Sequence, residues 1–159
     1  MCAENPETLA VRKATVEDAE TLLTIQRSAY QVEAELYQDW TIAPLTETLE
    51  ELQHDIETIT VLVGETGGRI VGSVRGALDS QKVCHIGRLV VDPQYQGHGY
   101  GQQLLLAIES EFPQAKAFTL FTGHQSVRNL HVYQKLGYYE TSRQFIKRKL
   151  TFVHLRKDR

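Results

Sequence analysis

The chain has 159 residues, 42% of them hydrophobic, which suffices for a single globular core without disulfide or metal support. Its formal net charge of −3 gives no general attraction to polyphosphate, which argues against a nucleic-acid-binding scaffold and favours a small-molecule partner. Because there are only two cysteines and no apolar run long enough to cross a bilayer, we expect one cytoplasmic domain over residues 1–159, with its core at about 8–155, no disulfide framework and no membrane partner.

The first half of the chain combines strand and helix patterns. Alternating polarity predicts a short strand over 8–14, and Thr15 with Asp18 resembles a capping box that starts a helix. That helix is predicted to end near Tyr37 and to bury one apolar stripe, formed by Leu22, Ile25, Ala29, Val32 and Leu36. A loop over 38–45 precedes a second helix, and the β-branched runs 58–64 and 69–78 predict a hairpin with a glycine turn.

The second half begins with a third β-branched run over 82–91, which passes through a glycine-rich turn into an amphipathic helix. A strand is predicted over 115–122, followed by a helix that Ser126 caps and Gly137 ends. Two closing strands over 138–147 and 149–155 complete the chain, which has no internal repeat.

The glycine-rich turn carries the most information about function. Every second residue is a glycine just before the predicted helix, at Gly97, Gly99 and Gly101. Without side chains, their backbone N–H groups can approach a ligand closely, and the positive end of the helix dipole favours an anion such as a pyrophosphate. The spacing differs from the Gly-x-Gly-x-x-Gly dinucleotide pattern, and no Lys-Ser or Lys-Thr follows as in a P-loop. The glycines alone leave open a turn that binds nothing.

Two segments resemble motifs of the GNAT superfamily of N-acetyltransferases. The first is Gln96-Gly97-His98-Gly99-Tyr100-Gly101, which fits the family's coenzyme A loop, Gln/Arg-x-x-Gly-x-Gly/Ala. The same pattern also fits in a register that begins at Gln94, and we favour Gln96. The second is Ser126-Val127-Arg128-Asn129-Leu130-His131-Val132-Tyr133-Gln134-Lys135-Leu136-Gly137-Tyr138, which resembles the family's last helix with its Leu-Gly-Tyr ending.

The resemblance implies an α/β (α+β) fold with a mixed, mostly antiparallel central sheet of about seven strands and helices on both faces. It also implies an enzyme that transfers an acyl group, most simply acetyl from acetyl-coenzyme A, to an amine, with no metal. The implied catalytic residue is Tyr133, as general acid to the departing thiolate. The implied coenzyme A-binding residues are Leu89, Val90, Val91, Gln96, Gly97, His98, Gly99, Tyr100, Gly101, Gln102 and Asn129.

Several alternatives stay open at this stage. The base that deprotonates the amine is Glu33, Glu35, His85 or a water molecule, and the six histidines show no metal-ligand spacing. We expect the acceptor, a small molecule or a protein, to be a cationic or polar amine admitted past Glu33 and Glu35. The sequence does not decide between a monomer and a homodimer. A coenzyme A-binding sensor without turnover is the main competing hypothesis, and a nucleotide-binding domain is a weaker one.

Overall fold

The computed structural model describes residues 9–159, so the first residue of the predicted strand over 8–14, and one of the two cysteines, Cys2, lie outside the described residues. Its seven strands form one sheet in the order β1-β2-β3-β4-β5-β7-β6, and every neighbouring pair is antiparallel except β4 and β5. The strands are Ala10–Lys13 (β1), Thr60–Thr66 (β2), Arg69–Leu78 (β3), Val83–Val91 (β4), Ala117–Gly123 (β5), Tyr139–Lys147 (β6) and Leu150–Asp158 (β7).

Five helices cover the sheet from both sides. They are Ala19–Tyr37 (α1), Ala43–Thr46 (α2), Leu49–Thr58 (α3), Tyr100–Ser110 (α4) and Val127–Lys135 (α5). Neighbouring residues of β2 point to opposite faces, so Val61 and Val63 join the core under α1 and α3, whereas Leu62 joins the core under α4. The predicted fold class is confirmed. None of the helices found in residues 9–159 has the length and apolarity needed to span a bilayer.

The buried side of α1 differs from the predicted stripe. Val32 and Leu36 are 61% and 38% exposed, whereas Ala34 and Tyr37 are buried. The first half of α1 packs on the sheet through Leu22 and its neighbours, as predicted. Towards the end of the helix, Val32 and Leu36 border an open cleft instead of a packed core. Apolar side chains that line a ligand cleft follow the same helical period as core residues, and the sequence does not separate the two.

The predicted loop over 38–45 overlaps the short helix α2, and the residue after this helix, Glu47, places a carboxylate in the interior. Glu47 is buried, and its two oxygens accept hydrogen bonds from both terminal guanidinium nitrogens of Arg75 at 2.8 and 2.9 Å. Gln26 of α1 donates to the same carboxylate at 2.8 Å, and Asp55 of α3 also pairs with Arg75. A buried charge is stable only when it is paired and hydrogen-bonded. The paired charges of this cluster therefore hold α1, α2 and α3 against the middle of β3.

Candidate active site

Strands β4 and β5 run side by side at their start and then part. Their parallel pairing covers only residues 83–85 of β4 and 117–119 of β5, although β4 continues to Val91 and β5 to Gly123. Beyond that point β4 pairs with β3, and β5 pairs with β7. The backbone edge of residues 89–91 therefore faces a gap in the sheet, where polar groups can meet a ligand.

A bulge in β4 lies next to this gap. The register changes from Ser73 opposite Val90 to Arg75 opposite Gly87, so β4 carries one residue more than β3 across the same stretch. Arg88 sits in the bulge with a φ of 50°, in the left-handed region that residues other than glycine seldom adopt. Bulges bend a strand and redirect its side chains, and they are common beside active sites.

The glycine turn closes one end of the gap. Gly97 and Gly99 have φ values of 89° and 77°, and a Cβ built on either would meet no atom within 4 Å. Gly99 is the N-cap residue of α4, and no side chain among residues 9–159 caps the N-terminus of this helix. The first N–H groups of α4 thus face open space at the positive end of the helix dipole, as an anion site requires.

Between the diverging strands, α1 and α5 lies a cleft of about 780 Å³. This is within the usual range for pockets that bind small molecules and cofactors. With one exception, the structure brings all the predicted site residues together in its wall: Leu89, Val90, Val91, Gln96, Gly97, Gly99, Tyr100, Gly101, Gln102, Asn129 and Tyr133. The exception is His98, which is exposed beside the ring of Tyr100 and is not part of the lining.

The turn is tied to α5 by a side-chain contact that the sequence analysis did not identify. Gln96 accepts a hydrogen bond from Arg128 at 2.7 Å and donates one to the carbonyl of Val91 at 3.3 Å. Arg128 also lines the cleft, so it adds a positive charge close to the glycine turn. Its place in the first turn of α5, directly before Asn129, was the signal that could have identified it.

Tyr133 and Asn129 share one face of α5, as their spacing predicts. Asn129 donates a long hydrogen bond of 3.4 Å to Thr122 on β5. The Tyr133 side chain is buried, and its hydroxyl makes no hydrogen bond to any residue in the described part of the chain. Burial raises the pKa of Tyr133, and the charge of Glu33 acts in the same direction. The phenol is therefore a protonated, unengaged hydrogen-bond donor at the wall of the cleft.

Glu33 lines the cleft opposite α5, at the end of a chain of hydrogen bonds. Ser126 donates to Glu33 at 2.6 Å, and Tyr37 must donate to Ser126 at 2.8 Å because the serine has a single proton. The Tyr37 oxygen in turn accepts from the backbone N–H of Gln125 at 2.9 Å. Ser126 does occupy the N-cap position of α5, but its hydroxyl does not cap the helix because it is committed to Glu33.

The other two candidate bases lie elsewhere. Glu35 is exposed on α1 and is not among the residues that line the cleft. His85 lies between Asp79, 2.8 Å from its Nε2, and Thr119, 2.9 Å from its Nδ1, and it lines a separate groove on the sheet. Within residues 9–159 no group of three or more His, Cys, Asp or Glu side chains is arranged to hold a metal ion.

Comparison with known proteins agrees with this geometry. Residues 18–159 match the acetyltransferase (GNAT) domain family. The S-alkylcysteine N-acetyltransferase of Bacillus subtilis is 30% identical over 139 residues, which cover 80% of this chain and 76% of that protein.

Solved structures share the fold at low sequence identity. The PaiA N-acetyltransferase of Thermoplasma acidophilum, solved with coenzyme A, superimposes with a TM-score of 0.80 at 19% identity and covers 96% of this chain and 99% of its own. The ribosomal-protein-alanine N-acetyltransferase of Brucella melitensis gives a TM-score of 0.79 at 19% identity, with 94% and 99% coverage. Together with the domain match, the parted strands and the glycine turn, these findings establish that the chain belongs to the GNAT family of N-acetyltransferases.

Proposed function

We propose that this protein transfers the acetyl group of acetyl-coenzyme A directly to a primary amine in a ternary complex, and that the whole chain forms one such catalytic domain. The observation that carries the proposal is the cleft between β4 and β5, which has the glycine turn at one end and the hydroxyl of Tyr133 in its wall. Two proteins of similar fold support this donor. The PaiA structure contains coenzyme A, and the structure of YncA from Salmonella typhimurium contains acetyl-CoA.

The residues fit such a donor along its length. Gly97, Gly99 and the first turn of α4 would bind the pyrophosphate through backbone N–H groups, with Arg128 nearby as a counter-charge. The free edge of residues 89–91 would hydrogen-bond the pantetheine arm and the thioester carbonyl. Backbone donors fixed in this way stabilise the negative charge that develops on the carbonyl oxygen, and holding both substrates together removes much of the entropic cost of their encounter.

Tyr133 would act where the thioester bond breaks. A neutral phenol donates a hydrogen bond to the departing thiolate and transfers a proton to it in part or in full. Because burial raises the pKa of Tyr133, the phenol stays protonated across the neutral and mildly alkaline range. A thiol with a pKa of about 8.5 is already a fair leaving group, so this contribution is smaller than that of orientation and charge stabilisation.

Glu33 is the base best placed to receive the amine proton. An alkylamine with a pKa of about 10.4 is almost fully protonated at neutral pH and must lose a proton before it attacks. The Glu33 carboxylate lines the cleft and is oriented by Ser126, which the Tyr37 hydroxyl holds in turn. The acceptor of the Bacillus subtilis relative, an S-alkylcysteine, is a small amine, and we propose a small amine here as well.

Acetyl-coenzyme A should raise the melting temperature of the protein. A ligand that binds only the folded state at a hundredfold excess over its Kd adds about 2.7 kcal/mol, which corresponds to about 5 to 10 °C for a chain of this size. Differential scanning fluorimetry with a concentration series measures the shift. NAD and ATP at the same concentrations serve as controls and should cause none. Equal protection by either nucleotide would contradict the proposed donor.

Replacement of Glu33 by Gln should raise KM for the amine or flatten the increase of rate with pH, because the cleft loses its oriented carboxylate. Initial rates between pH 6 and 9 with saturating acetyl-coenzyme A measure the effect. Glu35→Gln is the matched control, since it removes the same charge two residues away on the exposed side of α1, and it should behave as the parent. If both variants match the parent across this range, Glu33 takes no part in acceptor binding or deprotonation.

A further inference from the structure

The cleft is lined from both faces of the sheet, by α5 on one side and by α1 on the other. Helices α4 and α5 pack on the same face, where Leu104 and Tyr133 belong to one core cluster. Helix α1 packs on the opposite face through Leu22, in a separate cluster. The gap between β4 and β5 joins the two sides. Because the proposed donor site at the glycine turn and α5 takes the first side, the wall formed by α1 is left for the acceptor.

The α1 wall of the cleft combines one carboxylate with apolar side chains. Its members follow helical spacing and are Ala29, Tyr30, Val32, Glu33 and Leu36. Ala29 lies one turn before Glu33, and Leu36 lies one turn after it. Val32 and Leu36 are also one turn apart, and both are exposed to the cleft instead of being covered by a packed core. An ammonium held by Glu33 therefore has open apolar surface within one helical turn.

The cleft offers one anion to a cationic acceptor. Of the described residues in its lining, two have charged side chains, Glu33 and Arg128, and Arg128 is bound to Gln96 at the glycine turn. Ser126 donates to Oε2 of Glu33 at 2.6 Å, while Oε1 accepts no hydrogen bond from residues 9–159 and is left for the acceptor. Glu35, which the sequence analysis expected beside Glu33, does not line the cleft. A second ammonium on the same acceptor would therefore meet no counter-charge in this lining.

We propose that the acceptor is a primary monoamine with an apolar substituent, whose ammonium group binds Glu33 while the substituent packs on Val32 and Leu36. This inference rests on the proposed function. Each methylene group that leaves water for an apolar surface strengthens binding about two- to fourfold. A hydroxyl or a second ammonium placed on the same surface loses its hydration and gains no hydrogen bond. Polyamines and hydroxylated amines are therefore the disfavoured acceptors.

Acceptors of equal length test the proposal on the unaltered protein. Hexylamine, 5-amino-1-pentanol and 1,5-diaminopentane have the same number of non-hydrogen atoms and differ at the far end, which is a methyl, a hydroxyl or an ammonium group. We expect kcat/KM to fall in that order, by about ten- to a hundredfold from the first to the last. From ethylamine to butylamine, kcat/KM should rise about two- to fourfold with each methylene group. A flat series, or a preference for the diamine or the amino alcohol, would overturn the proposal.

Variants of the α1 wall then assign the preference to this surface. Val32→Thr and Leu36→Gln should each lower kcat/KM for hexylamine about three- to tenfold, and the loss should shrink towards ethylamine, which is too short to cover the changed side chain. Both residues are exposed, so the fold should persist. Leu106→Gln replaces an exposed leucine of α4 outside the cleft lining and should match the parent for every amine. Equal losses for hexylamine and ethylamine, with the Kd for acetyl-coenzyme A unchanged, would overturn the assignment.

The same amine series separates this inference from the proposed function. Glu33→Gln should lower kcat/KM for all of the amines by a similar factor, because they share the group that binds the carboxylate. Turnover by the parent protein with an equal or reversed ranking of the amines would refute the apolar acceptor alone. Binding of acetyl-coenzyme A without acetylation of any amine in the series would refute the proposed function, and this inference with it.

Discussion

Tyr133→Phe should lower kcat by about ten- to a thousandfold while the affinity for acetyl-coenzyme A stays unchanged. The hydroxyl makes no hydrogen bond to residues 9–159, so its removal breaks no hydrogen bond within them, and the ring still fills the same buried space. What is lost is the donor to the leaving thiolate. The measurement is the initial rate of coenzyme A release with a good amine acceptor, together with calorimetric titration of acetyl-coenzyme A.

A second tyrosine provides the control for this change. Tyr139 lies on β6 with a hydroxyl that donates to Asp158, and Tyr139→Phe should leave kcat unaltered. The parent's own pH profile adds a further check, since burial keeps Tyr133 protonated and no loss of rate below pH 9 should come from its ionisation. An unchanged kcat in Tyr133→Phe, in an assay where the chemical step limits the rate, would assign Tyr133 a purely structural role.

Gly99→Val should abolish the thermal protection by acetyl-coenzyme A while the fold persists. A Cβ added at Gly99 meets no described atom within 4 Å, and the space that it enters is the approach to the N-terminus of α4. A valine there would occupy the space of the pyrophosphate. The readout is the difference in Tm with and without acetyl-coenzyme A at a concentration that saturates the parent.

The β2–β3 turn contains a well-matched control for backbone strain. Gly68 has a φ of 70°, close to the 77° of Gly99, and a Cβ there also meets nothing within 4 Å. Gly68→Val should therefore lose a similar amount of stability to backbone strain, about 1–2 kcal/mol. Its Tm without ligand should be lowered by a similar amount. It should nevertheless keep the full shift with acetyl-coenzyme A. Equal shifts in the two variants would show that the pyrophosphate does not bind at the glycine turn.

Local sequence patterns predicted most of the fold and the residues at the proposed donor side of the cleft, between the glycine turn and α5. The strand–glycine turn–helix unit over residues 83–110 is contiguous in sequence, so one motif predicted both its structure, which is confirmed, and an anion site, which stays a prediction. Asn129 and Tyr133 also lie within one helix, where their spacing fixes their common direction. The cleft itself is consistent with these predictions, although the assignment of coenzyme A to its residues stays a prediction.

The acceptor side could not be predicted in the same way, because its contacts join residues that are far apart in sequence. Glu33 is oriented by Ser126, 93 residues away, and a glutamate near a helix end gives no sign of such a partner. The bulge at Arg88 bends β4 beside the cleft, and no residue pattern in this strand marks the extra residue. Val32 and Leu36 looked like core residues because a cleft and a core select the same apolar side chains.

Amine-dependent transfer of acetyl tests the central claim most directly. The protein is incubated with acetyl-coenzyme A and each member of a panel of small primary amines. Free thiol is followed with a chromogenic reagent, and the N-acetylated product is identified by mass spectrometry. We expect at least one small amine to accelerate thiol release well above the rate without acceptor, with one product molecule formed for each thiol. If acetyl-coenzyme A binds in calorimetry but no amine in the panel accelerates thiol release, the protein is a coenzyme A-binding module without turnover and the proposed function is wrong.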